Sequence, residues 1–104
     1  MKIKTSELKD QALDWAVSEA EGVSYADYME DGPINQRKWS TDWAQAGPII
    51  ERERISIGPY GDEFWAQSSA TIDTYYGPTP LVAAMRAFVA SRLGDEIEIP
   101  EELI

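Results

Sequence analysis

Gly77-Pro78-Thr79-Pro80-Leu81-Val82-Ala83-Ala84-Met85-Arg86-Ala87-Phe88-Val89-Ala90-Ser91-Arg92-Leu93-Gly94 is the stretch on which the fold turns. Both of its ends carry helix signals. The Thr79 hydroxyl can accept an amide of the first turn. Pro80 fits the first helical position, where no amide is needed. Gly94 fits the left-handed residue that closes a helix. Between them Leu81, Ala84, Met85, Phe88 and Arg92 recur at helical spacing, and Val82, Val89 and Leu93 widen the apolar face. A helix apolar on so many sides has to be buried, so the other elements are expected to pack around it.

Immediately upstream, Ile55-Ser56-Ile57 alternates and is rich in β-formers. Gly58-Pro59-Tyr60-Gly61-Asp62 is a turn cluster, and Glu63-Phe64-Trp65-Ala66-Gln67-Ser68 reads as a return strand, giving a hairpin with a loop of about five residues. Ala70 to Tyr76 is either a further strand or a loop. Before the hairpin, Ser40 or Thr41 caps a helix beginning at Asp42. Proline is disfavoured inside a helix and favoured at its start, so Gly47-Pro48 predicts a break or kink, with a second segment from Pro48 to about Glu53. Val23 to Lys38, with its Asp31-Gly32-Pro33 turn signal, reads as a contact-bearing loop.

Nearer the N-terminus, Thr5 or Ser6 caps a helix with Glu7 in its first turn, and Gly22 ends it. Leu8, Ala12, Trp15, Ala16 and Ala20 form its buried stripe, broadened by Leu13 and Val17. Met1 to Lys4 allows a short edge strand with Met1 and Ile3 inward. Past Gly94, Asp95-Glu96-Ile97-Glu98-Ile99 is either an edge strand or a frayed tail, stopped by Pro100. The expected fold is α+β, a small antiparallel sheet (hairpin plus edge strands) packed with two to three helices, in a single domain over residues 1–104.

The 104 residues contain neither cysteine nor histidine, and the net charge is −10. A chain of this length buries roughly 65% of its unfolded surface, enough for a core without staples. The missing thiols fit a reducing compartment. The acidic balance argues against duplex nucleic acid as a partner, because that binding neutralises phosphates with Lys and Arg. No run approaches the ~18 apolar residues of a membrane span, and the N-terminus lacks a signal-peptide core, so no membrane partner is expected. Catalysis without His or Cys would fall to carboxylates, Lys, Tyr or Ser. Glu51/Glu53 and Asp62/Glu63 are pairs only by sequence, and no cation-binding loop motif is present, so neither an enzyme nor a cofactor is expected.

Ser40-Thr41-Asp42-Trp43 puts hydrogen-bonding groups and an indole at a helix start, where amides can receive an anion. Arg52, Arg54, Arg86 and Arg92 are the side chains suited to grip a phosphate or carboxylate bidentately. The Thr79 turn resembles a phosphate loop, but its flanking prolines remove amide donors and leave a rigid cap at the edge of a site.

Three motifs carry a family resemblance. They are Lys4-Thr5-Ser6-Glu7-Leu8 with Ala12-Leu13-Asp14-Trp15-Ala16-Val17, then Ser40-Thr41-Asp42-Trp43-Ala44-Gln45-Ala46-Gly47-Pro48-Ile49-Ile50, then Gly77-Pro78-Thr79-Pro80-Leu81 onward to Gly94-Asp95-Glu96. In this order they resemble the small phage and prophage proteins of the NinX-like family, and are similar more broadly to phage α/β/α sandwich domains. The resemblance implies a phage origin, a location in the host cytoplasm and a non-structural accessory role, and supplies no catalytic residue. Two functions are expected, the first from the aromatic content and missing catalytic residue types together with this resemblance, the second from the acidic balance. In the first, the chain is a non-enzymatic sponge for a small nucleotide-like host immune signal: Trp39 or Trp43 stacks on the base, Ser40, Thr41 and Asp42 hydrogen-bond, Arg52 or Arg54 meets phosphate, Thr79 shapes the site's edge, and Arg86 is the one residue of its helix that reaches the ligand. In the second, it is an acidic adaptor or inhibitor of a host or phage protein, by nucleic-acid charge mimicry, through Asp62, Glu63, Asp95, Glu96, Glu98, Glu101 and Glu102. Exposed aromatics further suggest a homo-oligomer.

Overall fold

The computed structural model describes residues 1–22 and 38–103. The loop expected over Val23–Lys38 therefore lies, Lys38 apart, outside the described residues. In chain order the elements are β1 (Lys2–Lys4), α1 (Asp10–Glu21), α2 (Trp43–Glu53), β2 (Ser56–Tyr60), β3 (Glu63–Gln67), β4 (Tyr75–Gly77), α3 (Pro80–Leu93) and β5 (Glu96–Glu98). The fold is α+β as expected, but the strands form two antiparallel sheets instead of one.

α3 forms where its end signals place it. Thr79 Oγ1 accepts from the Val82 amide at 3.1 Å, and Gly94, at φ +90°, donates its amide to the Ala90 carbonyl at 3.0 Å. Leu81 to Met85 and Ala87 to Val89 are all buried. α1, α2, and strands of both sheets pack on the helix. Each large apolar side chain sunk here stabilises the fold by about 1.5–3 kcal/mol.

Every residue of the expected stripe is buried, Leu8 just ahead of α1 and the rest on it, and Gly22 ends the helix at φ +87°. Its start differs from expectation. Neither Thr5 nor Ser6 caps it: Thr5–Glu7 make one 3-10 turn, and the helix begins at Asp10. Thr5 is buried, its hydroxyl donating to the Gly94 carbonyl at 2.7 Å and its amide to the Asp95 carbonyl at 2.8 Å. Its hydrogen bonds thus join β1 to β5.

α2 runs unbroken through Gly47-Pro48, which corrects the expected kink. The cap is Asp42, not Ser40 or Thr41, and its carboxylate accepts from the Ala44 amide at 2.9 Å. Ala46 and Ile49, on either side of Pro48, are both buried. A break would pull one of them out of the core. The proline ring is exposed, and the helix forgoes the one hydrogen bond from residue 48 to the Ala44 carbonyl and continues. Pro48→Ala restores that bond and is expected to stabilise the protein by about 2 kcal/mol, read as a higher urea midpoint. An unchanged midpoint would mean that α2 is already shaped to its proline.

In the three-stranded sheet, β2-β3-β4, the hairpin turn is only Gly61-Asp62, with Tyr60 paired to Glu63. It is shorter than expected because Gly58 and Pro59 belong to β2. Pro59 is tolerated there because β2 is an edge strand. Of Ala70 to Tyr76 only Tyr75 and Tyr76 are strand, in β4, which Gly77 completes.

The second sheet pairs β1 with β5 in the register Lys2↔Glu98, Ile3↔Ile97, Lys4↔Glu96. Each cross-strand pair is either opposite in charge or apolar. The acidic stretch after Gly94 is thus a paired strand, not a frayed tail. Ile3 and Ile97 pack on the core, whereas Met1, expected to point inward, is 63% exposed.

Candidate functional site

The two sheets leave a groove of about 710 Å³ between them. Lys4, at the end of β1, Asp95, just before β5, and Glu96, its first residue, form one wall. Glu63 from β3 and Tyr75 and Tyr76 from β4 form the other, with Asp73 and Thr74 leading into β4. Arg86 reaches the groove from α3. Four carboxylates therefore share the lining with two cations, one of which, Lys4, is already opposite Glu96 in the strand register.

Arg86 is held by backbone. Its Nε donates to the Leu8 carbonyl and its Nη1 to the Tyr76 carbonyl, both at 2.7 Å, so the guanidinium joins the approach to α1 to β4. Among the described residues it makes no ion pair. Burial pushes its pKa down, and the more distant Glu63 and Glu7 work against that. Tyr75 has its hydroxyl pKa pushed up, first by burial and then by Asp73 and Asp95, so it remains a neutral hydrogen-bonding group at any physiological pH. No group of three or more acidic residues able to hold a metal ion occurs among the described residues. Chemically this is a concave, acidic, partly aromatic surface.

Of the residues expected to bind a ligand, only Arg86 lines this groove. Trp39 and Ser40 are buried. The Ser40 amide donates to Asp14 Oδ1 at 2.9 Å, which fixes the 38–41 turn to α1. Its hydroxyl has no partner in good hydrogen-bond geometry, yet lies close enough to the same carboxylate to favour its charged form. Thr41 is exposed, Asp42 is engaged as a cap, and Trp43 is 55% exposed. Arg52 lies nine residues along α2 from Trp43, which at 1.5 Å per residue separates them by about 14 Å along the axis. Arg52 is also occupied, pairing with Glu21 through two nitrogens and with Glu53 at 2.8 Å, while Arg92 reaches the same Glu53 at 2.7 Å. This network ties the ends of α1, α2 and α3 together, and its hydrogen bonds to Glu21 and Glu53 hold the Arg52 pKa well above the usual range. Arg54 closes α2 in the left-handed region at φ +53°, and Thr79 is the cap of α3. The expected stacking-and-phosphate constellation is therefore spread over separate places.

The expected acidic cluster divides as well. Glu63, Asp95 and Glu96 enter the groove, whereas Glu98 faces Lys2 and Glu102 lines a different hollow. Asp73, Tyr75 and Tyr76 were missed as site residues. Their one sequence signal is a polar, aromatic run placed directly before the Gly77–Pro80 cap.

Asp14 makes a pH-dependent prediction. Burial raises its carboxyl above the ordinary 3.8, offset in part by Ser40. A carboxyl with a raised folded pKa binds protons more tightly in the native state, so its charge removes stability as pH rises. The stability of Asp14→Asn minus that of the native protein should therefore grow from pH 3.8 upward and level off above the folded pKa. Urea midpoints measured across that range check it, and a pH-independent difference would contradict it.

No helix among the described residues is long and apolar enough to cross a membrane. A family model described as Bacteriophage P22, NinX matches residues 4–92, from the end of β1 into the last turn of α3. No curated protein matches the chain. The chain belongs to that phage family.

Proposed function

From that membership, we propose that the chain is a non-enzymatic phage accessory protein. It acts in the host cytoplasm by holding a basic segment of a partner protein in the groove between its two sheets. The observation that carries this is the lining: Glu63, Asp73, Asp95 and Glu96 around a concave surface, in a molecule of net charge −10. Such a field draws in basic partners and repels phosphate, and a cleft concentrates it. Arg86, fixed by two carbonyls and unpaired with any described carboxylate, offers remaining N–H donors to acceptors on the partner. A nucleotide sponge has less support, because Trp39 and Ser40 are buried, Arg52 is engaged, and phosphate would enter a field of its own sign.

The test places a photo-crosslinking residue at Thr74 and exposes the protein to host lysate at low and high salt. Capture of a basic protein that is lost both at high salt and in an Asp73→Asn/Asp95→Asn variant supports the reading. Capture indifferent to salt and to those substitutions, or thermal stabilisation by cyclic oligonucleotides, overturns it. Sedimentation of the free protein separates a homo-oligomer from partner binding.

A further inference from the structure

The outward face of the three-stranded sheet adjoins the groove and carries an unusual set of side chains. Strand alternation puts Phe64 and Ala66 on one face and Glu63, Trp65 and Gln67 on the other. Ala66 is wholly buried, so the Glu63–Trp65 face looks away from the core. Register places Gly58, Trp65 and Tyr76 in one row across the sheet, with Tyr60 opposite Glu63 in the next. The Trp65 indole lies over Gly58: a Cβ built there would come within 2.7 Å of ring atoms Cε2 and Cζ2. The absence of a side chain at Gly58 is what lets the indole lie against the sheet. Tyr60 and Tyr76 stand beside each other, ring centroids 4.8 Å apart and planes tilted by 45°, and are 59% and 42% exposed.

Cross-strand pairing explains why Trp65 and Tyr76 stand opposite each other on the ladder. It does not explain why two large rings and part of a third remain in water on one small face. The strands of this sheet contain no Lys or Arg, and the one charge on their outward face is Glu63. Aromatic rings bordered by a carboxylate attract a cation: ring faces draw positive charge, and the carboxylate pairs with it. A guanidinium satisfies both at once, since it is flat enough to stack and forked enough to pair, whereas an ammonium is a point charge that prefers its water.

We propose that Tyr60, Trp65 and Tyr76, with Glu63, form a platform that reads an arginine side chain of the basic segment lying in the adjoining groove. Tyr76 belongs to both surfaces. The inference rests on the proposed function and names the chemistry that gives it specificity: the groove supplies charge, and the platform distinguishes arginine from lysine.

The probes are fluorescent oligo-arginine and oligo-lysine peptides of equal length, titrated against the full chain and followed by anisotropy. Oligo-arginine should bind about tenfold tighter. Tyr76→Leu and Tyr60→Leu, both at exposed positions, should each bring oligo-arginine down to the oligo-lysine level and leave oligo-lysine within about twofold. Glu63→Gln should weaken both peptides. Trp43→Leu, an exposed aromatic on another element, should change neither. Equal affinities for the two peptides that Tyr76→Leu leaves untouched would overturn the platform and leave the groove standing. No binding of either peptide would overturn both. Tighter binding of a single-stranded oligonucleotide, lost in Tyr76→Leu, would replace the arginine reading with base stacking.

Discussion

Gly77→Ala should remove about 3 kcal/mol of stability, a large part of the roughly 5–15 kcal/mol available to a domain of this kind. The reason is a backbone contact. A Cβ at Gly77 would lie 2.7 Å from the Ala83 amide nitrogen and 2.9 Å from Val82 Cγ1. Neither neighbour can retreat. Val82 receives the Thr79 cap, and Ala83 is wholly buried in the first turns of α3. Nor can β4 move away, because Gly77 is paired to Phe64 of β3. The added methyl must therefore part the sheet from the helix, and overpacking of this sort is destabilising. Gly47→Ala is the control: nothing lies within 4 Å of its Cβ position, and alanine favours a helix interior over glycine by about 0.5–1 kcal/mol. Urea denaturation should move the two midpoints in opposite directions. A Gly77→Ala midpoint near the native one would show that β4 and α3 are free to slide.

Phe88→Ala should be as severe, at about 3–5 kcal/mol. Phe88 is wholly buried in the middle of α3. The guanidinium carbons of Arg52 and Arg92 lie 5.7 and 5.3 Å from its ring centroid. The ring therefore fills the core and also supports the cations of the Glu21–Arg52–Glu53–Arg92 network. Phe88→Leu keeps most of the volume and removes the ring, so its smaller loss should include the cation–ring attraction, about 0.5–1 kcal/mol per partner. The check is a double-mutant cycle. Arg92→Met should destabilise less in the Phe88→Leu background than in the native one. Strict additivity would mean that the ring and the guanidiniums do not interact.

The parts of the fold that could be read from sequence were those with local signals. Thr79, Pro80 and Gly94 mark both ends of α3, and the stripe from Ala12 to Ala20 marks the buried side of α1. Pro48 misled because its local preference was weighed without the two core anchors, Ala46 and Ile49, that hold α2 straight. The pairing of Lys2-Ile3-Lys4 with Glu96-Ile97-Glu98 was legible in principle as complementary charge, but its partners lie almost the whole chain apart. The site was hard to read for the same reason. Its lining comes from β1, β3, β4, α3 and β5, and no short motif spans them. Arg86 reads in sequence as a donor able to grip a ligand and does line the groove, whereas Ser40 and Arg52, which look as available, are engaged by Asp14 and by Glu21 and Glu53.

The β1–β5 ribbon has a kinetic side. Each strand contributes only three residues, so little pairing holds the ribbon closed. Thr5 adds two hydrogen bonds to Gly94 and Asp95, but the ribbon remains the place where native-state opening should begin, ahead of α3. Because Lys4 and Glu96 belong to it and Asp95 adjoins it, each such opening also dismantles one wall of the groove. Amide exchange in Lys2–Lys4 and Glu96–Glu98 thus becomes a clock for binding: a partner seated in the groove slows it, while exchange in α3 continues at its own pace.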